Sequence, residues 1–285
     1  MTSLIGHTAL QAQLAEMLEA GVLPHALLLH GPQGVGKRLL ATKLAYRLMT
    51  GGTGLEPDTT APVYHQIVAG SCGDFHVLEP EKGSDGKLKK SIGIKQVRAL
   101  LADLQRSTDN QRVVIVDALE QMTDEAANAL LKTLEEPRPN LTFVLVCHQL
   151  GDTLPTIRSR CRLVPVHPLT EAETLKVLVA QGGDEAWVPL AHGSPGSVLG
   201  NDAKLLRETM AVLRPVVEGG TPAKAPSAAQ APWVPEALLM LLAQQPPTVA
   251  WAKAYADIQT LKRRTALNIP HTMLADAALA ILRQV

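Results

Sequence analysis

The sequence predicts an α/β fold: a parallel sheet carrying a phosphate loop, then a small helical segment, then an all-helical C-terminal region. Three observations lead there. A short apolar run, Ala26–His30, leads into Gly31-Pro32-Gln33-Gly34-Val35-Gly36-Lys37 and on into helix-forming sequence, the strand–loop–helix order that a phosphate loop needs. Two further apolar runs, Val113–Val116 and Thr142–Val146, flank a helical repeat. They read as buried parallel strands joined by a crossover helix. From Asn201 onward the chain reads as helices alone.

Composition sets the outer bounds. At 285 residues, a prior of about 150 residues per domain suggests two domains, or three small ones. The chain is 46% hydrophobic, enough for sizeable cores. No run approaches the ~18 uninterrupted apolar residues of a membrane helix, and no basic segment followed by an apolar core opens the chain, so a cytoplasmic protein is expected. Cys72, Cys147 and Cys161 are odd in number and far apart, which argues against a disulfide framework. The 27 basic residues balance 27 acidic ones, and aromatics are 3%. A protein that holds nucleic acid unaided usually shows a basic excess or a stacking platform, so any DNA contact is expected to be shared with partners.

In chain order, Leu10, Leu14, Met17 and Leu18 mark the buried face of a first helix, which Gly21 and Pro24 end. After Ala26–His30 comes the phosphate loop. Gly31, Gly34 and Gly36 let backbone amides wrap an anion, Lys37 reaches terminal phosphates, and the helix start favours negative charge. The next position, normally a Ser or Thr that ligands magnesium, is Arg38, so the loop lacks one metal ligand. His25, read as lying beside this loop, is expected to be a hydrogen-bonding residue and not a catalyst. Residues 50–62 read as a flexible insertion rich in turn formers. Phe75–Leu78 reads as a strand, and Ile94–Arg106 as a helix beside a basic cluster of Lys87, Lys89, Lys90, Lys95 and Arg98. That cluster is either a solvated face or a source of phosphate contacts.

Asp117 ends the strand Val113–Val116, at the sheet edge where α/β proteins bind ligands. Thr123 caps the following helix, Asp124 and Glu125 suit its first turn, and Ala126, Leu130, Leu131 and Leu134 face inward. Pro137 stops it. Thr170 and Glu173 form a capping box, with Leu175, Leu178 and Val179 in register behind it. Leu205–Val217, Leu238–Leu242 and Val249–Thr265 are expected helices, and a last one carries Leu274, Ala278, Ile281 and Val285 on one face. Gly219–Pro232, rich in Pro, Ala and Gly, reads as a flexible loop.

Asn128-Ala129-Leu130-Leu131-Lys132-Thr133-Leu134-Glu135-Glu136-Pro137, followed by Ser159-Arg160-Cys161, resembles the clamp-loader branch of the AAA+ ATPases. The resemblance covers nearly the whole chain. It implies a AAA+ RecA-like domain over 1–168, a helical lid over 169–200 and a helical collar over 201–285, which oligomerises a ring and contains the 219–232 loop. It makes Asp117 the remnant of a Walker B motif. It also implies that Arg160 is an arginine finger, acting in trans on a neighbour's nucleotide. Active members place Glu after the Walker acid, where this chain has Ala118. They place Thr or Asn at the sensor position, here Cys147 or His148, and Arg where Gly196 stands. Glu120 falls at the wrong spacing to replace the missing Glu. Together these losses make hydrolysis by the chain alone unexpected.

The implied role is a non-catalytic subunit of a DNA-directed DNA polymerase holoenzyme, which helps load a sliding clamp on primed DNA during replication. The implied partners are an ATPase motor subunit and a delta subunit, with clamp and DNA met through the complex. No cofactor is required, ATP or ADP binding stays open, and no metal site is expected. Many relatives carry four zinc-binding cysteines near residues 46–71. This chain has none between Tyr46 and Ser71 and only Cys72 nearby, and His65 and His76 make a poor motif with it. The rival reading is an active AAA+ motor using Lys37 and Asp117. A third is a scaffold that holds ATP as a structural ligand.

Overall fold

A computed structural model of the chain describes residues 4–81, 89, 91–106, 108–183, 185–199, 201–219, 225–227, 230–243, 248–263 and 270–282. The chain divides into two compact units, 1–196 and 197–285.

The first unit is built on a five-stranded sheet. Its strands are β1 (Ala26–His30), β4 (Phe75–Leu78), β5 (Arg112–Val116), β6 (Leu141–Cys147) and β7 (Arg162–Pro165). They lie in the order β4-β5-β6-β1-β7, and every pairing is parallel. β5 and β6 are buried along their whole length, as both faces are covered. One face packs Val114, Phe143 and Leu145 against Leu100, Leu130 and Leu134. The other packs Leu27, Leu29, Ile115 and Val146 against Leu40 and Leu44. This is the α/β class with a parallel sheet expected from the sequence, with β1 inserted between two strands that follow it in the chain.

The covering helices are α1 (Thr8–Glu19), α2 (Lys37–Thr50), α3 (Pro62–Val68), α4 (Ile94–Leu104), α5 (Asp124–Glu135), α6 (Pro155–Arg158), α7 (Glu171–Ala180) and α8 (Val188–Ala191). In α5, the Thr123 hydroxyl accepts the Ala126 N–H, with Asp124 and Glu125 in the first turn. In α7, Thr170 and Glu173 close a capping box. There Leu178 is buried, but Val179, expected to face inward, is exposed, and Thr174 takes the inner position instead. Residues 50–62 contain a small antiparallel hairpin, β2 (Gly52–Thr53) with β3 (Glu56–Pro57). Leu55 at its tip is buried, so part of the expected flexible insertion is anchored to the core.

The second unit is helical: α9 (Asn201–Val217), α10 (Val234–Ala243), α11 (Val249–Arg263) and α12 (His271–Leu282). α10 packs on α9, α11 and α12, burying Leu213, Leu238, Ile258, Leu274 and Ala278. Residues 220–224, 228 and 229 of the expected 219–232 loop lie outside the described residues, as does Val285; Ala231–Trp233 forms a 3-10 turn. Among the described residues no helix is long and apolar enough to cross a membrane.

Candidate nucleotide site

The carboxyl ends of β1, β5 and β6 converge on a cavity of about 1100 Å³. Gln33, Gly34, Gly36, Lys37 and Arg38 line it from the loop after β1, and Asp117, Ala118 and His148 line it from the ends of β5 and β6. Gly31 has no freedom to be another residue: a Cβ there would lie 2.1 Å from the Val166 carbonyl oxygen, and its φ is +149°. The glycine lets the loop cross the end of β7.

Lys37 is 3% exposed. Its Nζ donates to the Gly31 and Pro32 carbonyls, each at 2.7 Å. Burial lowers its pKa, against the pull of Cys147, Glu120 and Asp117. Arg38 turns the other way. Its Nη1 donates to Glu79 Oε2 at 2.6 Å and to Asp117 Oδ2. Burial works against the Arg38 charge, but the hydrogen bonds and charges of Asp117 and Glu79 outweigh it and raise its pKa. Asp117 is therefore at the strand end where the sequence places it, and its carboxylate is already paired. Arg38 thus brings a fixed cation to Asp117.

Of the other residues named from the sequence, His25 departs from its expected place beside the loop. It lies at the amino end of β1, the end away from the loop, where its ring bonds the Leu134 carbonyl at 3.0 Å. Of the two sensor candidates, His148 lines the cavity and Cys147 is wholly buried. Glu120 accepts the His148 backbone N–H at 3.1 Å and does not line the cavity. At Gly196 the backbone N–H donates to the Gly34 carbonyl at 2.9 Å. A Cβ there would lie 2.8 Å from Gly34 Cα, so a side chain at this position requires the loop or the 193–196 segment to move.

Arg160 does not line this cavity. It follows α6, and its Nε donates to Glu135 Oε1 at 2.7 Å, with Nη2 on the same oxygen and Nη1 on the Thr156 carbonyl at 2.8 Å. The pair joins the end of α5 to the Ser-Arg-Cys turn and leaves Arg160 about a third exposed. Cys161 anchors that turn from behind, packed on the core, and burial pushes its thiol up to about 12. Burial also raises Cys147. Above about pH 9 the unfolded chain therefore releases protons that the folded chain keeps, so stability should fall as pH rises toward 12. Urea midpoints at pH 8 and 10.5 should show this fall, and a Cys147→Ala/Cys161→Ala double variant should flatten it.

In the basic cluster, Lys87 and Lys90 lie outside the described residues. Lys89 pairs with Glu81 at 3.1 Å, and Lys95 and Arg98 are on α4. Among the described residues no group of three His, Cys, Asp or Glu is placed to hold a metal ion.

Residues 6–170 match the family model described as DNA polymerase III, delta subunit, a span that holds the phosphate loop, Asp117 and Arg160. The chain belongs to this family. Its curated relatives include the DNA polymerase III delta prime subunit of Haemophilus influenzae, 37% identical over 153 residues, covering 53% of this chain and 45% of that protein. The delta prime subunit of Escherichia coli is 33% identical over 195 residues, covering 66% and 57%. The chain thus spans about half the length of the curated relatives it matches. Among solved structures, a gamma subunit-related protein of DNA polymerase III from Thermotoga maritima superposes with a TM-score of 0.59 at 19% identity, covering 95% of this chain and 99% of that one. That likeness bears on the fold alone.

Proposed function

We propose that the chain is a clamp-loader subunit of the delta prime kind, which lends Arg160 to the nucleotide of a neighbouring ATPase and does not hydrolyse ATP itself. One observation carries this reading. Arg160, about a third exposed, stands away from the chain's own cavity, while that cavity holds Ala118 and Gly196 where a hydrolytic site needs Glu and Arg. Phosphoryl transfer depends on positioned water and on cations at the phosphate oxygens. This site keeps the loop and lacks the group that positions water. Arg160 has the complementary character: a planar cation, held by Glu135 and Thr156, with an open side.

Membership of the family supports a place in a clamp-loader complex. The neighbour is an ATP-binding clamp-loader subunit, and a delta subunit completes the ring. The clamp and primed DNA are met through the complex. The helical second unit is the part that packs the ring together. Neither a cofactor nor zinc is required for this role.

ATP hydrolysis by the purified chain, with and without primed DNA, tests the division of labour. Turnover should not exceed that of a Lys37→Ala control. Turnover that the Lys37→Ala change abolishes would contradict it and make the chain a motor.

A further inference from the structure

The cavity poses a charge problem that the proposed role leaves open. The loop is shaped for phosphate, yet the acid that would hold magnesium is engaged by Arg38. A divalent ion at Asp117 would have to sit beside a guanidinium, and like charges at a few ångströms repel strongly in a partly buried site. The residues present do not fit magnesium.

They fit something else. Position 38 directly follows the loop lysine, so its side chain enters the cavity from the start of α2. Only Nη1 is committed, to Glu79 and Asp117. Among the described residues, Nε and Nη2 have no partner. Arginine carries five donors in a planar fork, which matches two phosphate oxygens at once. Arg38, Asp117 and Glu79 all line the cavity; the Arg38 side chain is 47% exposed, against 21% for Asp117 and 52% for Glu79, so its uncommitted edge is open to a ligand. Lys37 hydrogen-bonds only neutral carbonyls among the described residues, and Glu120 and Asp117 act on its charge without a direct hydrogen bond.

We infer that Arg38 is the resident cation of this site, which takes the polyphosphate group of a ligand with no divalent metal. The anion lies along the loop between Lys37 and Arg38. Asp117 and Glu79 serve as the positioning residues of Arg38 and not as metal ligands. This builds on the reading of the cavity as a phosphate site without hydrolysis. It is independent of Arg160, whose role is measured at a neighbour's nucleotide.

The test is calorimetric binding of ATP, and separately of inorganic tripolyphosphate, to the full chain in excess EDTA and in excess magnesium. The wild-type chain should bind in EDTA at least as tightly as in magnesium. If the anion alone is recognised, both ligands bind; if the base adds contacts, ATP binds more tightly. Arg38→Ser removes the fork and supplies the usual hydroxyl. It should lose about tenfold or more in EDTA, as expected for a charge-assisted pair, and regain affinity when magnesium is added. Wild-type binding that requires magnesium would overturn the inference, as would no binding of either ligand. Neither result would bear on ring turnover with Arg160→Ala, so the two proposals fail separately. The wild-type comparison needs no variant and stands even if Arg38→Ser does not fold.

Discussion

Arg160→Ala in the reconstituted ring is expected to lower ATP turnover at the adjoining site by about 10³-fold or more, the range for an arginine finger. That corresponds to roughly 4 kcal/mol of transition-state stabilisation or above. The stability lost is far smaller. Arg160 and Glu135 are 31% and 46% exposed, and an ion pair so open to water contributes about 0–1 kcal/mol. The variant chain should therefore fold and assemble normally, which size-exclusion chromatography of the ring checks. Arg160→Lys keeps the charge but not the planar fork, and should recover little. Glu135→Gln frees the arginine without removing it, so its effect should be much smaller than that of Arg160→Ala. Unchanged turnover in the Arg160→Ala ring would refute the assignment.

Phe143→Ala is expected to cost about 3–5 kcal/mol of stability, as for other large-to-small changes at fully buried aromatics. Phe143 is 0% exposed. It sits in the middle of β6, opposite Val114 on β5 and Ala26 on β1, and packs under α5 through Leu130 and Leu134. Deleting its ring leaves a cavity between sheet and helix that neither can close without moving. A loss of that size is a large share of the stability of an ordinary domain. Urea denaturation followed by circular dichroism measures it; a change below about 1 kcal/mol would mean that the sheet–helix contact is not packed as described.

How much was legible in the sequence depended on burial. β5 and β6 are legible almost residue for residue, because strands covered on both faces leave unbroken apolar runs. β7 is not legible: it lies at the sheet edge, only Val164 of its four residues is buried, and so no pattern marks it. α6, with four residues, is too short for a helical period to show. Val179 was placed inward by spacing, but the helix turns Thr174 to the core instead. The loop glycines, Lys37 and Asp117 were legible because local chain order alone puts them at strand ends. The partnership of Arg38 with Glu79 was not. The two are 41 positions apart and meet only because β4 lies beside β5. Likewise, Glu135 and Arg160 each belong to a recognisable motif, but their pairing emerges only from the packing of α5 beside α6.

The most direct test of the central claim is loading of the sliding clamp onto primed DNA by a ring assembled from the ATP-binding and delta subunits. It is measured without this chain, with it, and with Arg160→Ala. Loading should require the chain and be lost in the variant although the ring still forms. Equal loading with and without the chain would contradict its role as a clamp-loader subunit.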